Sequence, residues 1–92
     1  MNHHALAVDS RDSIAVALTD LQRGQKCTVR VGGGSIEVEL RERIPFGHKF
    51  ALRAIPMGED VLEYGEVIGR SMIDIDAGAW IDHHNVVMES ST

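Results

Sequence analysis

Cys27, Val29 and Val31 alternate with Thr28 and Arg30, and Ile36, Val38 and Leu40 alternate with Glu37, Glu39 and Arg41. Successive strand side chains point to opposite faces, so each run presents one apolar face and one wet face. Gly32-Gly33-Gly34-Ser35 lies between the two runs, and the pattern predicts a β-hairpin over residues 27–40. A phosphate-binding loop needs Gly-Lys-Ser or Gly-Lys-Thr leading into a helix, and neither follows the glycines here. Nine glycines scattered among short apolar segments extend the same reading along the chain. The expected fold class is mainly β, with many short strands, tight bends and one or two short helical turns.

The remaining segments are shorter. Residues 5–8 read as a first strand. Residues 14–18 read equally as a buried strand or as one or two helical turns, because periodicity does not separate the two in so short a run. Thr19-Asp20 is placed to cap a brief helical turn before Gly24. Residues 48–55 are expected to form a helical turn with Phe50, Ala51, Ala54 and Ile55 inward, broken by residues 56–58. Val61-Leu62 and Val67-Ile68 are short apolar pairs broken by Gly65 and Gly69. Ile73 and Ile75 alternate with Asp74 and Asp76, and a final strand is expected from residue 79 or 80 to residue 88. No repeat, low-complexity tract or linker is evident.

A chain of 92 residues is one domain, 1–92, and buries only about 60–65% of its unfolded surface. A deep enclosed active site is hard to build at that size, which favours a module that completes a site on another polypeptide. Only four residues are aromatic (two Phe, one Tyr, one Trp), so the core must be chiefly Val, Ile, Leu and Ala. The formal net charge of −5 argues against a nucleic-acid surface, which needs clustered Lys and Arg. It also means that an anionic substrate must be held by local basic groups, here or on a partner. Cys27 is the single cysteine, so an internal disulfide and a thiolate zinc site are excluded, and a reducing cytoplasmic location is expected. The N-terminal residues show no basic n-region, and no apolar run approaches the ~20 residues of a membrane span. Neither a signal peptide nor a membrane partner is therefore expected. Residues 1–4 and 89–92 are expected to be flexible ends.

Asp82-His83-His84-Asn85 concentrates polar chemistry near the end of the chain. On an extended strand Asp82 and His84 share one face, with His83 on the other. A carboxylate and an imidazole two residues apart can hold a divalent metal or move a proton. The plainer reading is an exposed polar end to a strand. Cys27 reads as a small core residue, Tyr64 as a packing residue with a wet hydroxyl, and Glu37, Glu39 and Glu42 as a solvated strand face.

Several segments together resemble a known family. They are Ile44-Pro45-Phe46-Gly47-His48-Lys49, Ala51-Leu52, Ile55 with Gly58, Tyr64-Gly65-Glu66-Val67-Ile68-Gly69, and Ile75, Gly78 and Trp80-Ile81-Asp82. The ordered set resembles the small β-clip domain called SAF, in the version of the altronate and galactarate dehydratase family. Asp12-Ser13-Ile14-Ala15-Val16-Ala17 is similar to that family's N-terminal pattern. The resemblance implies a β-clip fold and the small subunit of a carbon–oxygen lyase, with the catalytic bulk on a larger chain. The small subunit of sulfolactate sulfo-lyase is similar, and a non-catalytic SAF module that binds an acidic sugar is the rival class. The altronate-type pattern ends in His-x-His-Asn. Here Asp82 takes the first histidine position, whereas His84 and Asn85 match, and Trp80-Ile81-Asp82 is more like the galactarate branch.

The reaction the resemblance implies is dehydration of an anionic sugar acid. A base removes the proton next to the carboxylate, and an acid or metal helps the neighbouring hydroxyl leave. The implied roles are proton carriers or ligands for His48 and His84, a substrate-carboxylate partner for Lys49, and substrate contacts for Asp82 and Asn85. A divalent metal, Fe2+ or Mn2+, in the assembled enzyme would take Asp82 and His84 as ligands. A homo-oligomer is left open.

Overall fold

The computed structural model describes residues 3–88. The alternation around the glycines forms the hairpin the sequence predicts. β3 (Lys26–Val31) and β4 (Gly34–Glu39) pair antiparallel, from Lys26 opposite Glu39 to Val31 opposite Gly34. Cys27, Val29 and Val38 are buried. The other strands are short: β1 (Ala5–Ala7), β2 (Ile14–Ala17), β5 (Lys49–Ala51), β6 (Asp60–Glu63), β7 (Glu66–Ser71), β8 (Trp80–Ile81) and β9 (Val86–Met88). Six strands form one sheet in the order β4-β3-β1-β2-β5-β8, with only β1 and β3 parallel, and β6-β7-β9 form a second, antiparallel sheet.

No helix occurs among the described residues, which corrects the helical turns expected within residues 14–24 and 48–55. Residues 14–17 and 49–51 are strands because ladder partners are available: β2 lies between β1 and β5, and β5 between β2 and β8. Asp20 caps no helix; its carboxylate accepts the Phe46 N–H at 2.8 Å. Alternation then sends neighbouring residues into different cores. Ala15, Ala17 and Phe50 join a cluster with Leu21, Cys27 and Val29, whereas Ile14, Ala51 and Ile81 join a cluster with Ile55, Val61 and Val86. The β2–β5–β8 ladder thus contributes to a core cluster on each face.

Four turns share one geometry. The N–H groups of Gln25, His48, Glu59 and Ala79 donate to the carbonyls of Gln22, Pro45, Pro56 and Asp76, three residues earlier. Gly24, Gly47, Gly58 and Gly78 hold the third position of these turns with φ between 82° and 85°, as a type II turn requires. The turns form two like pairs. Leu21 and Ile44 exchange both backbone hydrogen bonds, and so do Ile55 and Ile75. Asp20 accepts the N–H of Phe46 in one pair, and Asp74 that of Met57 in the other. Asp-Leu-x-x-Gly with Ile-Pro-Phe-Gly therefore matches Asp-Ile-x-x-Gly with Ile-Pro-Met-Gly. This is an internal repeat, which corrects the reading that none exists; two four- or five-residue motifs in reversed order escape a search along the sequence.

A polar latch joins the sheets. Gly65 N–H donates to Asp12 Oδ1 at 2.8 Å, Leu62 N–H donates to Ser13 Oγ at 3.1 Å, and Ser13 N–H donates to the Leu62 carbonyl at 3.0 Å. Asp12 and Ser13 are buried. Arg11 grips Asp9 beside them and holds its carboxyl down at about 2. The β6–β7 turn, Tyr64-Gly65, has positive φ at both residues, the geometry of a two-residue hairpin.

The expected final strand is two strands. β8 belongs to the first sheet, β9 to the second, and a turn over residues 82–85 carries the chain between them. His4 is stitched to β3: its N–H donates to the Thr28 carbonyl at 2.8 Å, and its Nδ1 accepts the Thr28 N–H at 2.9 Å. The rest of the expected flexible ends, residues 1–2 and 89–92, lies outside the described residues. No helix among the described residues is long and apolar enough to cross a membrane.

Two outcomes follow from this packing. A Cβ on Gly78 would lie 2.1 Å from the Glu39 carbonyl oxygen in a backbone conformation that side chains rarely adopt. Gly78→Ala should cost about 3 kcal/mol or more in urea unfolding, whereas Gly24→Ala, with open space at the Cβ, should cost only about 1 kcal/mol. Burial pushes the Cys27 thiol up to about 11. The native thiol should therefore resist a disulfide reagent at pH 8 and react at once in denaturant.

Candidate functional site

The β5–β8 ladder ends at the pair Lys49–Ile81, so His48 and Asp82 are the next residues on the two strands. The chain turns at Asp82 because two side chains hold it. Asn85 Oδ1 accepts the Asp82 N–H at 3.1 Å, and Asn85 Nδ2 donates to the Trp80 carbonyl at 2.7 Å. Asp82 Oδ1 accepts the His84 N–H at 2.8 Å and meets His84 Nδ1. This is a side-chain-capped turn of the kind Asp and Asn favour. Asp82 and His84 do meet, as expected, but through the turn and not through a shared strand face.

The His84 N–H, followed by its ring, holds the Asp82 carboxyl below the ordinary value of 3.8. The ionised carboxylate can only accept, so Nδ1 carries the proton and Nε2 is left free. Both side chains remain substantially open to solvent, 39% for Asp82 and 55% for His84. Such a pair can accept a proton at Nε2 or hydrogen-bond to a ligand there.

His48 lies on the Trp80 side of the ladder, edge-to-face with the indole at a centroid distance of 5.4 Å. The Trp80 backbone N–H donates to Glu42 Oε2 at 2.9 Å, and the buried indole Nε1 has no partner among the described residues. Glu42 thus does more than line a wet face. Lys49, next in sequence, points to the opposite face and pairs with Glu63 Oε1 at 3.0 Å. The Glu63 side chain is only 10% exposed. Lys49 and Asp82 line a cavity of about 160 Å³ together with His83.

The five residues singled out from sequence are therefore divided. Asp82 and His84 meet in the turn that follows β8, whereas His48 packs against Trp80 on the face opposite Lys49. Lys49 is turned away and ion-paired, and Asn85 is buried with both ends of its amide engaged. Asp82 and His84 offer a metal two donors already in contact with each other, and no group of three His, Cys, Asp or Glu residues able to hold a metal occurs among the described residues. Sequence reasoning missed Glu63 and Trp80. Glu63 is two residues from buried Val61 on an alternating strand, an inward position that asks for a cation. Trp80 was read only as part of the Trp80-Ile81-Asp82 motif, and nothing local announced its packing against His48.

A family model described as the altronate/galactarate dehydratase SAF domain matches residues 3–89. The chain is 40% identical over 83 residues to galactarate dehydratase (L-threo-forming) of Escherichia coli, covering 90% of this chain and 15% of that protein. It is 39% identical over 80 residues to altronate dehydratase of the same species, covering 87% and 15%. It is also 32% identical over 81 residues to (2R)-sulfolactate sulfo-lyase subunit alpha of Chromohalobacter salexigens, covering 85% and 86%. The chain thus spans 15% of the length of the dehydratases and most of the length of the sulfo-lyase subunit.

Two measurements separate holding from chemistry here. Lys49→Ala strands a nearly buried carboxylate and should lower stability by about 1–3 kcal/mol, and Lys49→Met with Glu63→Gln should recover most of that loss. Asn85→Ala should cost a similar amount, about 1–3 kcal/mol, by freeing the Asp82 N–H and the Trp80 carbonyl. Asp82 titrates lower folded than unfolded, so its contribution is complete above the ordinary carboxylate value and is lost as pH falls through its lower folded value. The His84 amide resonance should follow that acid transition and should not move in Asp82→Asn.

Proposed function

This chain belongs to the altronate/galactarate dehydratase SAF domain family, and from that premise we propose that it is the small subunit of a carbon–oxygen lyase acting on a polyhydroxy sugar acid. The observation that carries this reading is the pair of coverages: the same domain is a small part of two long dehydratases and nearly the whole of a protein named as a subunit. The geometry supports it. The polar groups of the candidate site lie open at one end of a short ladder, and an open site needs a second surface to exclude water.

In this reading the turn over residues 82–85 presents His84 Nε2 to an active site on the larger chain, and Asp82 fixes its tautomer. His48 approaches from the neighbouring strand, braced by Trp80. One imidazole takes or gives a proton at the carbon or hydroxyl of the substrate. Asn85 acts from beneath by holding the turn, and Lys49 takes part only if assembly frees it from Glu63. A divalent metal, Fe2+ or Mn2+, belongs chiefly to the larger chain, with Asp82 and His84 as two donors at its edge. A cytoplasmic location is part of the same proposal. A sulfolactate sulfo-lyase subunit is the second reading, favoured by the near-complete coverage of subunit alpha.

The test is reconstitution with a purified large chain of the dehydratase type, assayed on altronate, galactarate and sulfolactate. The mixture should turn over one of them, and the small chain alone should turn over none. His48→Ala and His84→Ala should each lower kcat without separating the chains, by about 10²-fold or more for the one that transfers a proton. Metal content measured in parallel separates loss of a ligand from loss of an acid or base. Binding without turnover on all three substrates would leave the non-catalytic SAF module. Unchanged kcat in both variants would leave a purely structural clamp.

A further inference from the structure

Leu6, Val16, Lys49 and Ile81 are paired in one row across β1, β2, β5 and β8, so their side chains share one face of the larger sheet. The Lys49–Glu63 pair rises from the middle of this row to the second sheet. An apolar depression lies on each side of it. One, of about 220 Å³, has Leu6, Val16 and Leu18 in its wall and Tyr64 at its rim. The other, of about 160 Å³, is the cavity bordered by Asp82 and His83, and its apolar wall is Ile68, Ile81 and Met88. Leu18, Tyr64 and Met88 are 46%, 61% and 50% exposed, which is high for large side chains sharing one groove.

We propose that this groove seats an apolar segment of the larger catalytic chain, with one apolar side chain in each depression and the Lys49–Glu63 pair between them. The inference rests on the lyase-subunit reading above. The occupant is argued from three observations. Lys49 is the one lysine or arginine lining either depression and Glu63 neutralises it, while Asp12 and Asp82 add carboxylates against the single imidazole of His83, so a sugar acid is poorly matched there. Both ends of the domain border the groove: β1 supplies Leu6, and β9 ends at Met88. The dehydratases that contain this domain carry most of their polypeptide outside it, and that polypeptide must join at one of those ends. A second copy of this chain is disfavoured by its net charge of −5.

The test is the Kd for the large dehydratase-type chain that restores turnover in reconstitution, measured by calorimetry with the full chain and three variants. Leu18→Glu and Met88→Glu each place a charge at an exposed position, so the fold should survive, as circular dichroism will check. Each should weaken binding by about tenfold or more. Ile36→Glu, on the far edge strand β4, should bind like the wild type. Wild-type affinity in both groove variants would overturn the proposal. So would self-association of the wild type that Leu18→Glu abolishes while binding to the larger chain is unchanged. Turnover with unaffected Kd in the groove variants would sink the groove and leave the lyase reading standing. Groove-dependent binding without turnover would do the reverse.

Discussion

Phe50 and Ala51 are adjacent in sequence and feed opposite cores. The rest of the molecule depends on that division. A chain of this size cannot fill two thick layers, so one three-strand ladder feeds both clusters, one on each face. The β3–β4 hairpin closes one side, and the β6–β7–β9 sheet closes the other. The latch at Asp12 and Ser13 and the Lys49–Glu63 pair fix the second sheet at separate points, in side-chain bonds that are largely removed from water.

The position of the candidate site follows from the same economy. A two-residue β8 ends as soon as its core residue, Ile81, is placed, and the chain must cross to the second sheet at once. Asp82 and Asn85 make that crossing by bonding the backbone themselves, which leaves His83 and His84 outside. The histidines are exposed because the turn is short, and they are held because its two polar corners are fixed. That combination suits a surface presented to another chain.

Much of the fold was legible in the sequence. The hairpin over residues 27–40 was readable because alternation over two six-residue strands has no helical counterpart. Residues 48–51 were not, because a three-residue strand shows no period, and only its pairing with Val16 and Trp80 makes it a strand. Asp82 and His84 were rightly grouped but wrongly explained, since i, i+2 spacing fits a strand face and an Asp-capped turn equally well. The Lys49–Glu63 pair joins strands of different sheets, 14 residues apart, and nothing local announces it. The repeated turn motifs were hidden because their order along the chain reverses between the two halves.

In the proposed assembly this domain acts by presenting the end of the β5–β8 ladder and the neighbouring groove to a larger chain. Amide hydrogen exchange of this chain, with and without the larger dehydratase-type chain, tests it most directly. Binding should bring new protection over residues 82–85 and in the segments around Leu6, Val16 and Lys49, with exchange in β4 unchanged. Protection confined to the β3–β4 hairpin, with residues 82–85 exchanging as freely as before, would contradict it.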